Sequence, residues 1–290
     1  MCGGRRAPSV ETMKKALVTG ASRGLGLALA AGLAAAGYAL VIDARDGEAL
    51  RRAAARIRDG ASGADGAGGA DGAGGAGGAG GAGGAGGAGG ASVTALAGDV
   101  TDPAHRAALR EAAGDIDLLV NNAGTLGAAP LPALADYPPD ELRAAFEANV
   151  IAPMALAQLF LPGLRERGGA VLNITSDAAV EPYAGWGGYG AAKAALEQAS
   201  NVLAAEETAI RVWWVDPGDL RTDMHQAAFP GEDISDRPLP ESVVPAFVRL
   251  VGERLPSGRY RAYELVSPPG ELVSPTGVRR DRSDQFEGQR

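Results

Sequence analysis

An alternation along the chain constrains its fold more than any other feature. Short apolar runs take turns with alanine-rich stretches long enough to be helices. The runs are residues 16–19, 39–42, 93–97, 118–120, 170–174 and 211–215. Candidate helices fall between them at 24–36, 47–58, 103–113, 139–164 and 188–206, with Pro162 near the end of the fourth. Strands separated by helices return through right-handed crossovers, so they lie parallel and both faces of the sheet are covered. The expectation is an α/β chain of one domain: a doubly wound parallel sheet in three layers.

Composition narrows the partners. Lys and Arg number 27 against 35 Asp and Glu, a net charge of −8. Nucleic acid and anionic membrane surfaces favour basic faces, so neither is expected as a partner. No stretch approaches the roughly 20 uninterrupted apolar residues of a membrane span, and the first residues lack the apolar run of a secretory signal. With one cysteine, Cys2, and two histidines, His105 and His225, neither an intrachain disulfide nor a His/Cys metal site is expected. These features point to a cytoplasmic protein.

Three segments stand outside the alternation. Eighteen of the 44 glycines lie in the Ala-Gly-Gly run at 60–91. That run offers no side chains to bury and is expected to be a disordered insertion, which a fold tolerates because loop-closure entropy grows slowly with length. Residues 1–12 read as a disordered extension before Met13-Lys14-Lys15, itself an ordinary start. Residues 266–290, ending in a mixed-charge run, read as a tail. The domain is therefore 13–265.

The first apolar run leads into Thr19-Gly20-Ala21-Ser22-Arg23-Gly24-Leu25-Gly26 and then a helix. Glycines at 20, 24 and 26 allow a tight turn and a close backbone approach to a pyrophosphate, which a helix N-terminus stabilises. Further elements follow in order: Asp99-Val100, Asn121-Asn122-Ala123-Gly124, Asn149, Ser176, Tyr189 with Lys193, Pro217-Gly218 and Thr222. Together, over about residues 14–225, they resemble the short-chain dehydrogenase/reductase family in its single-domain branch. The resemblance implies a Rossmann fold, NAD(P), a small carbonyl or alcohol substrate, and a homo-oligomer, dimer or tetramer. It also implies that Gly20, Ser22, Arg23, Gly24, Leu25, Gly26, Asp99, Val100, Asn122, Ala123, Gly124, Pro217, Gly218 and Thr222 face the cofactor. In that pattern Asp99 contacts the adenine and Thr222 bonds the nicotinamide carboxamide.

The second run ends Val41-Ile42-Asp43-Ala44-Arg45-Asp46. A carboxylate at this tip accepts hydrogen bonds from the adenosine ribose and repels a 2′-phosphate, whereas an arginine does the reverse. Aligned on Asp46-Gly47-Glu48-Ala49, the family's NAD-selecting acid falls at Ala44. Arg45 and Arg23 then stand at its two basic positions. NADP, as NADPH, is the expected cofactor; a slip of one residue would put Asp43 at the tip and favour NAD.

Tyr189 and Lys193 are one helical turn apart and share a face. A phenol ionises near pH ~10, and a neighbouring ammonium together with an oxidised nicotinamide ring favours the phenolate, so Lys193 and the bound cofactor are expected to lower the Tyr189 pKa. Tyr189 and Ser176 would hold the substrate oxygen, with Tyr189 donating a proton in reduction and removing one in oxidation. By resemblance, Lys193 also binds the ribose hydroxyls, and Asn149 holds a water linking Lys193 to solvent. Asp177, Glu181, Tyr183 and Trp186 lie where substrate would pass, open to a role in specificity or none. Of the pair Trp213-Trp214, at least one is expected in the core.

Past Thr222 the resemblance thins. Residues 223–245 carry Pro230, Gly231, Pro238 and Pro240, consistent with a loop-rich lid; a helix at 243–254 and a short strand at 257–262 would follow. The family's Asp-Gly-Gly ending is absent, which puts tetramer contacts in doubt. A nucleotide sensor without turnover is a rival class, but it would be expected to have lost Tyr189 or Lys193. An NAD-dependent alcohol dehydrogenase is another alternative. A sugar-nucleotide epimerase would need a differently spaced turn and a larger C-terminal region.

Overall fold

The computed structural model describes residues 13–64 and 91–266. The expected extension at 1–12, most of the insertion and nearly all of the tail lie outside the described residues. Seven parallel strands form one sheet in the order β3-β2-β1-β4-β5-β6-β7. They are β1 Lys15–Val18, β2 Ala39–Ala44, β3 Val93–Ala97, β4 Leu118–Asn121, β5 Ala170–Ile174, β6 Arg211–Asp216 and β7 Gly258–Arg261. Each of the six candidate strands is present, and the seventh pairs parallel with β6.

Alternating side chains on the strands feed two cores. Ala16, Val18, Leu40 and Ile42 face one side, under α1 (Gly24–Ala35) and α2 (Gly47–Ala64). Leu17, Val41 and Leu119 face the other, under α3 (Pro103–Ala113) and the long helical run that follows. Burial on both faces is why these strands read as unbroken apolar runs. Trp213 and Trp214 are both buried, with Trp213 Nε1 donating to the Leu255 and Pro256 carbonyls.

Three details differ from the sequence reading. Helix α2 continues to Ala64, past Arg58 and into the first residues of the glycine-rich run. Leu50, Ala53, Ala54 and Ile57 anchor it, and an established helix adds residues at small cost. The fourth helix divides into α4 (Pro139–Phe146), a π-helical turn (Glu147–Ile151) and α5 (Ala152–Arg167). It ends at Gly168, whose left-handed φ of 59° supplies the stop. Beyond α6 (Gly187–Glu206), the segment expected as a lid is partly helical, as α7 (Asp223–Ala228), and leads to α8 (Val244–Gly252).

The run Pro139–Arg167 is long and apolar enough by length and composition to cross a membrane, yet half of its apolar window is buried inside the fold. Leu156, Phe160 and Leu164 of α5 are core residues. Strand order reverses between β1 and β4, which opens a crevice at their C-terminal ends. The turn after β1 and the asparagines closing β4 meet there.

Candidate active site

The glycine turn is built by close packing. Gly20 and Gly24 adopt φ of 67° and 55°. A Cβ on Gly20 would stand 2.9 Å from Ala123 Cα, and one on Gly26 would overlap the Gly20 carbonyl and the Asn122 amide. Asn122 binds the turn from the side: its Nδ2 donates to the carbonyls of Thr19 and Gly20 at 2.9 and 3.2 Å. Thr19 Oγ1 accepts from the backbone N–H of both Asn122 and Ala123. The first turn of α1 carries no acidic side chain, and Arg23 at its N-cap makes no side-chain cap. Uncapped amides behind a glycine turn fit a dinucleotide pyrophosphate.

Around this turn the expected nucleotide residues fall into place unevenly. Ser22, half-buried, and Arg23, exposed, lie on the turn; Leu25 packs into the first core, so only its main chain can serve a ligand. Arg23 forms an exposed ion pair with Asp223 of α7 at 2.8 Å. Arg45 is exposed just past β2. Burial alone would raise the Asp99 carboxyl, but the Thr101 amide and hydroxyl and the Arg45 charge outweigh it and hold it below its usual range. Val100 is a core side chain whose carbonyl accepts from Arg106. Beyond β6, Pro217 and Gly218 form a turn closed by the Gly218 N–H on Asp216 Oδ1. Thr222 caps α7, accepting from the His225 N–H, and its methyl comes near Gly24.

Asp43 has a different place from the one a ribose-binding acid would need. It is 1% exposed; its Oδ1 accepts from the Gly20 N–H at 2.8 Å, and its Oδ2 meets His105 Nε2 at 3.1 Å. Burial pushes this carboxyl above its usual range against the pull of the His105 and Gly20 hydrogen bonds. Its carboxylate thus points inward, to the glycine turn and His105.

On the other side of the crevice, α6 carries Tyr189 and Lys193 toward the end of β5. Lys193 is 4% exposed; its Nζ donates to the Ile174 carbonyl at 2.8 Å and lies 5.6 Å from the centre of the Tyr189 ring. Burial pushes the Lys193 ammonium down to about 8. Gly124 leaves room here, since a Cβ on it would overlap the Asn149 amide oxygen. Asn149, fully buried in the π-helical turn, has both ends of its side chain on the Thr125 backbone. This pairing uses one of the amide's two donors and one of its oxygen's two acceptor sites.

The protein's own groups, without the nicotinamide, do not acidify Tyr189. Burial, then the charges of Asp216 and Asp177, push the phenol well above its usual range, and a hydrogen bond with Ser176 only partly opposes them. Desolvation outweighs an ammonium that is itself buried and turned toward Ile174. Ser176 Oγ donates to Asp177 Oδ1 at 3.0 Å, while Asp177 Oδ2 accepts from Tyr183 Oη at 2.9 Å. Leu126, Ala178 and Tyr189 form a small apolar cluster with Leu131, Tyr183, Trp186 and Ala228. Trp186 meets Tyr189 edge-on at 5.8 Å and Phe229 of the lid at 5.9 Å.

The sequence reading missed a brace beneath these groups. Arg259 of β7 binds both carboxylate oxygens of Glu197 on α6, at 2.9 and 3.1 Å, and reaches the Ser176 carbonyl at 3.3 Å. Thr175 Oγ1 donates to the same glutamate. Nothing local in the sequence marks Arg259, because its partners come from α6 and the loop after β5. Among the described residues there is no group of three or more His, Cys, Asp or Glu that could hold a metal.

A glycine turn at a topological switch, facing a buried tyrosine–lysine pair, defines a dinucleotide-dependent oxidoreductase. Comparison with known proteins makes the assignment specific: a family model described as short chain dehydrogenase matches residues 14–67 and 83–233. The chain belongs to that family, whose members exchange hydride between NAD(P) and a CH–OH or C=O group. It is 35% identical over 221 residues to 1-deoxy-11-beta-hydroxypentalenate dehydrogenase of Streptomyces exfoliatus, covering 73% of this chain and 70% of the relative. Sepiapterin reductase of Meriones unguiculatus is 34% identical over 229 residues, 73% of this chain and 76% of the relative. A short chain dehydrogenase from Shigella flexneri 2a, solved with NADP, superposes with a TM-score of 0.72. It is 25% identical and covers 86% of this chain and 97% of its own.

Proposed function

We propose that the enzyme reduces a neutral, mainly apolar ketone with NADPH, and that Tyr189 donates the proton. The observation that carries this reading is the buried phenol whose surroundings keep it protonated, set in an apolar cluster. A protonated phenol can hydrogen-bond a carbonyl oxygen and then release its proton to the forming alkoxide. Ser176 turns its hydroxyl from Asp177 to the same oxygen. Lys193, anchored on Ile174, faces the Tyr189 ring and supplies positive charge as the phenol loses its proton. Asn149, held on the Thr125 backbone near Gly124 and Lys193, supports a water-mediated path for the return of that proton. NADPH supplies the hydride when bound.

Leu126, Leu131, Trp186 and Phe229 favour an apolar substrate body, and the carboxylates of Asp177 and Asp216 disfavour an anionic one. For the cofactor, support comes from exposed Arg45 and Arg23 at the ribose corner and from the inward-turned Asp43. Exposed Ile151, Leu159 and Val202, on the π turn, α5 and α6, support a dimer across these helices, which light scattering of the purified protein would detect. The activity is tested by following reduced-nicotinamide absorbance with matched ketones and keto acids, using NADPH and NADH in parallel. Turnover of neutral ketones with NADPH is expected. Exclusive use of keto acids, or no consumption with any carbonyl, would end this reading.

A further inference from the structure

Asp43 and His105 form a buried acid–imidazole pair on the nucleotide side of the site, at side-chain exposures of 1% and 7%. Three segments are shaped around it. The turn after β1 contributes the Gly20 N–H, and α3 delivers His105 from the other face of the sheet. The loop after β3 makes room for the ring at Gly98, where any Cβ would overlap the imidazole. Asp43 therefore has one carboxylate oxygen on the phosphate turn and the other on His105. It stands two residues before Arg45, beside the corner where an acid selects NAD by binding the ribose and repelling a 2′-phosphate.

We propose that His105 is a specificity-determining residue for the cofactor. By pairing with Asp43 it holds the second-strand carboxylate inward beneath the glycine turn, which leaves the ribose corner to Arg45 and hence to a 2′-phosphate. Without this partner the carboxylate keeps only the Gly20 N–H. A buried carboxylate stripped of its main partner stays charged only by turning toward solvent, and there it weighs more heavily on the phosphorylated ribose than on the plain one. Asp99 is the charged group that acts on Asp43 beside His105, and Arg45 acts in turn on Asp99; Asp99 is held by Thr101 and cannot replace His105 as a donor.

This inference rests on the NADP reading and is tested by calorimetric titration of the purified protein with 2′,5′-ADP and 5′-AMP. Wild-type protein should prefer 2′,5′-ADP. His105→Leu should lose about tenfold of that preference, equivalent to about 1.4 kcal/mol. Asp43→Asn should keep it, and the double variant D43N/H105L should regain it because no carboxylate remains to be held. A merely structural role for His105 would weaken both ligands in proportion, with no recovery in the double variant. That pattern, or an unchanged ratio in His105→Leu, would overturn the proposal. If His105→Leu does not fold, a double variant that prefers 5′-AMP would overturn it equally. A wild-type protein that prefers 5′-AMP removes the NADP reading itself.

Discussion

Around Gly20, groups borne on β1, β2 and β4 converge on a few backbone atoms: Asp43 takes the amide, Asn122 takes the carbonyl, and Thr19 ties the asparagine's own main chain. Across the crevice, the substrate side is made of loop side chains touching one another: Ser176 on Asp177, Asp177 on Tyr183, Trp186 against Phe229. The first region is fixed by main-chain geometry that few sequences satisfy. The second can exchange one side chain for another without moving a strand. A chain of this kind keeps its cofactor chemistry and changes its substrate, because specificity resides where the backbone is least committed.

The contrast can be broken or sharpened at four points. The largest effect is expected at Tyr189→Phe, which should lower kcat by about a thousandfold while NADPH binding, followed by nicotinamide fluorescence, is retained. Substantial residual turnover would move the proton donor elsewhere. Next is Lys193. Its ammonium has a folded pKa of about 8, below the unfolded value of 10.5. Between those values the unfolded chain binds more protons, so stability rises with pH across the window. The full penalty of about 3 kcal/mol is present below pH 8. Denaturant titrations of wild type and Lys193→Met should therefore diverge from pH 8 to 10.5, with the wild type gaining. Parallel curves would show that the ammonium is not buried at this cost.

On the nucleotide side, Arg45→Ala should weaken NADPH by about tenfold and NADH little, as expected for a lost charge-assisted contact. Equal losses would detach Arg45 from the 2′-phosphate. The smallest effect belongs to the lid. Phe229→Ala should raise KM for an apolar ketone by roughly threefold, the scale of one aromatic pair, with kcat nearly unchanged. A fall in kcat without a change in KM would make Phe229 part of the reacting geometry instead of the wall.

What the sequence made legible follows the same division. Gly20, Gly24 and Gly26, or Tyr189 and Lys193, are close in the chain, and their spacing already says which face or turn they share. The pairing of Asp43 with His105, and of Glu197 with Arg259, spans 62 residues in each case. Such pairs are set by sheet order and crossover, and no local pattern encodes them. One signal was available for Asp43: period-two alternation along β2 places it with Val41 on the α3 face, opposite Leu40, Ile42 and Ala44. The direction of the Tyr189 shift was hidden for a related reason. Spacing shows the lysine one turn away, but only the packed structure shows how deeply both groups are desolvated and that Asp216 and Asp177 stand nearby.

The central claim is that one buried hydroxyl meets the substrate oxygen beside the nicotinamide. Its most direct test is a crystal structure of the protein with NADPH and a slowly reacting apolar ketone. The account predicts a carbonyl oxygen within about 2.5–3.0 Å of both Tyr189 Oη and Ser176 Oγ, with Lys193 still on the Ile174 carbonyl. A carbonyl oxygen held by other groups, with the Tyr189 hydroxyl out of hydrogen-bond reach, would contradict it.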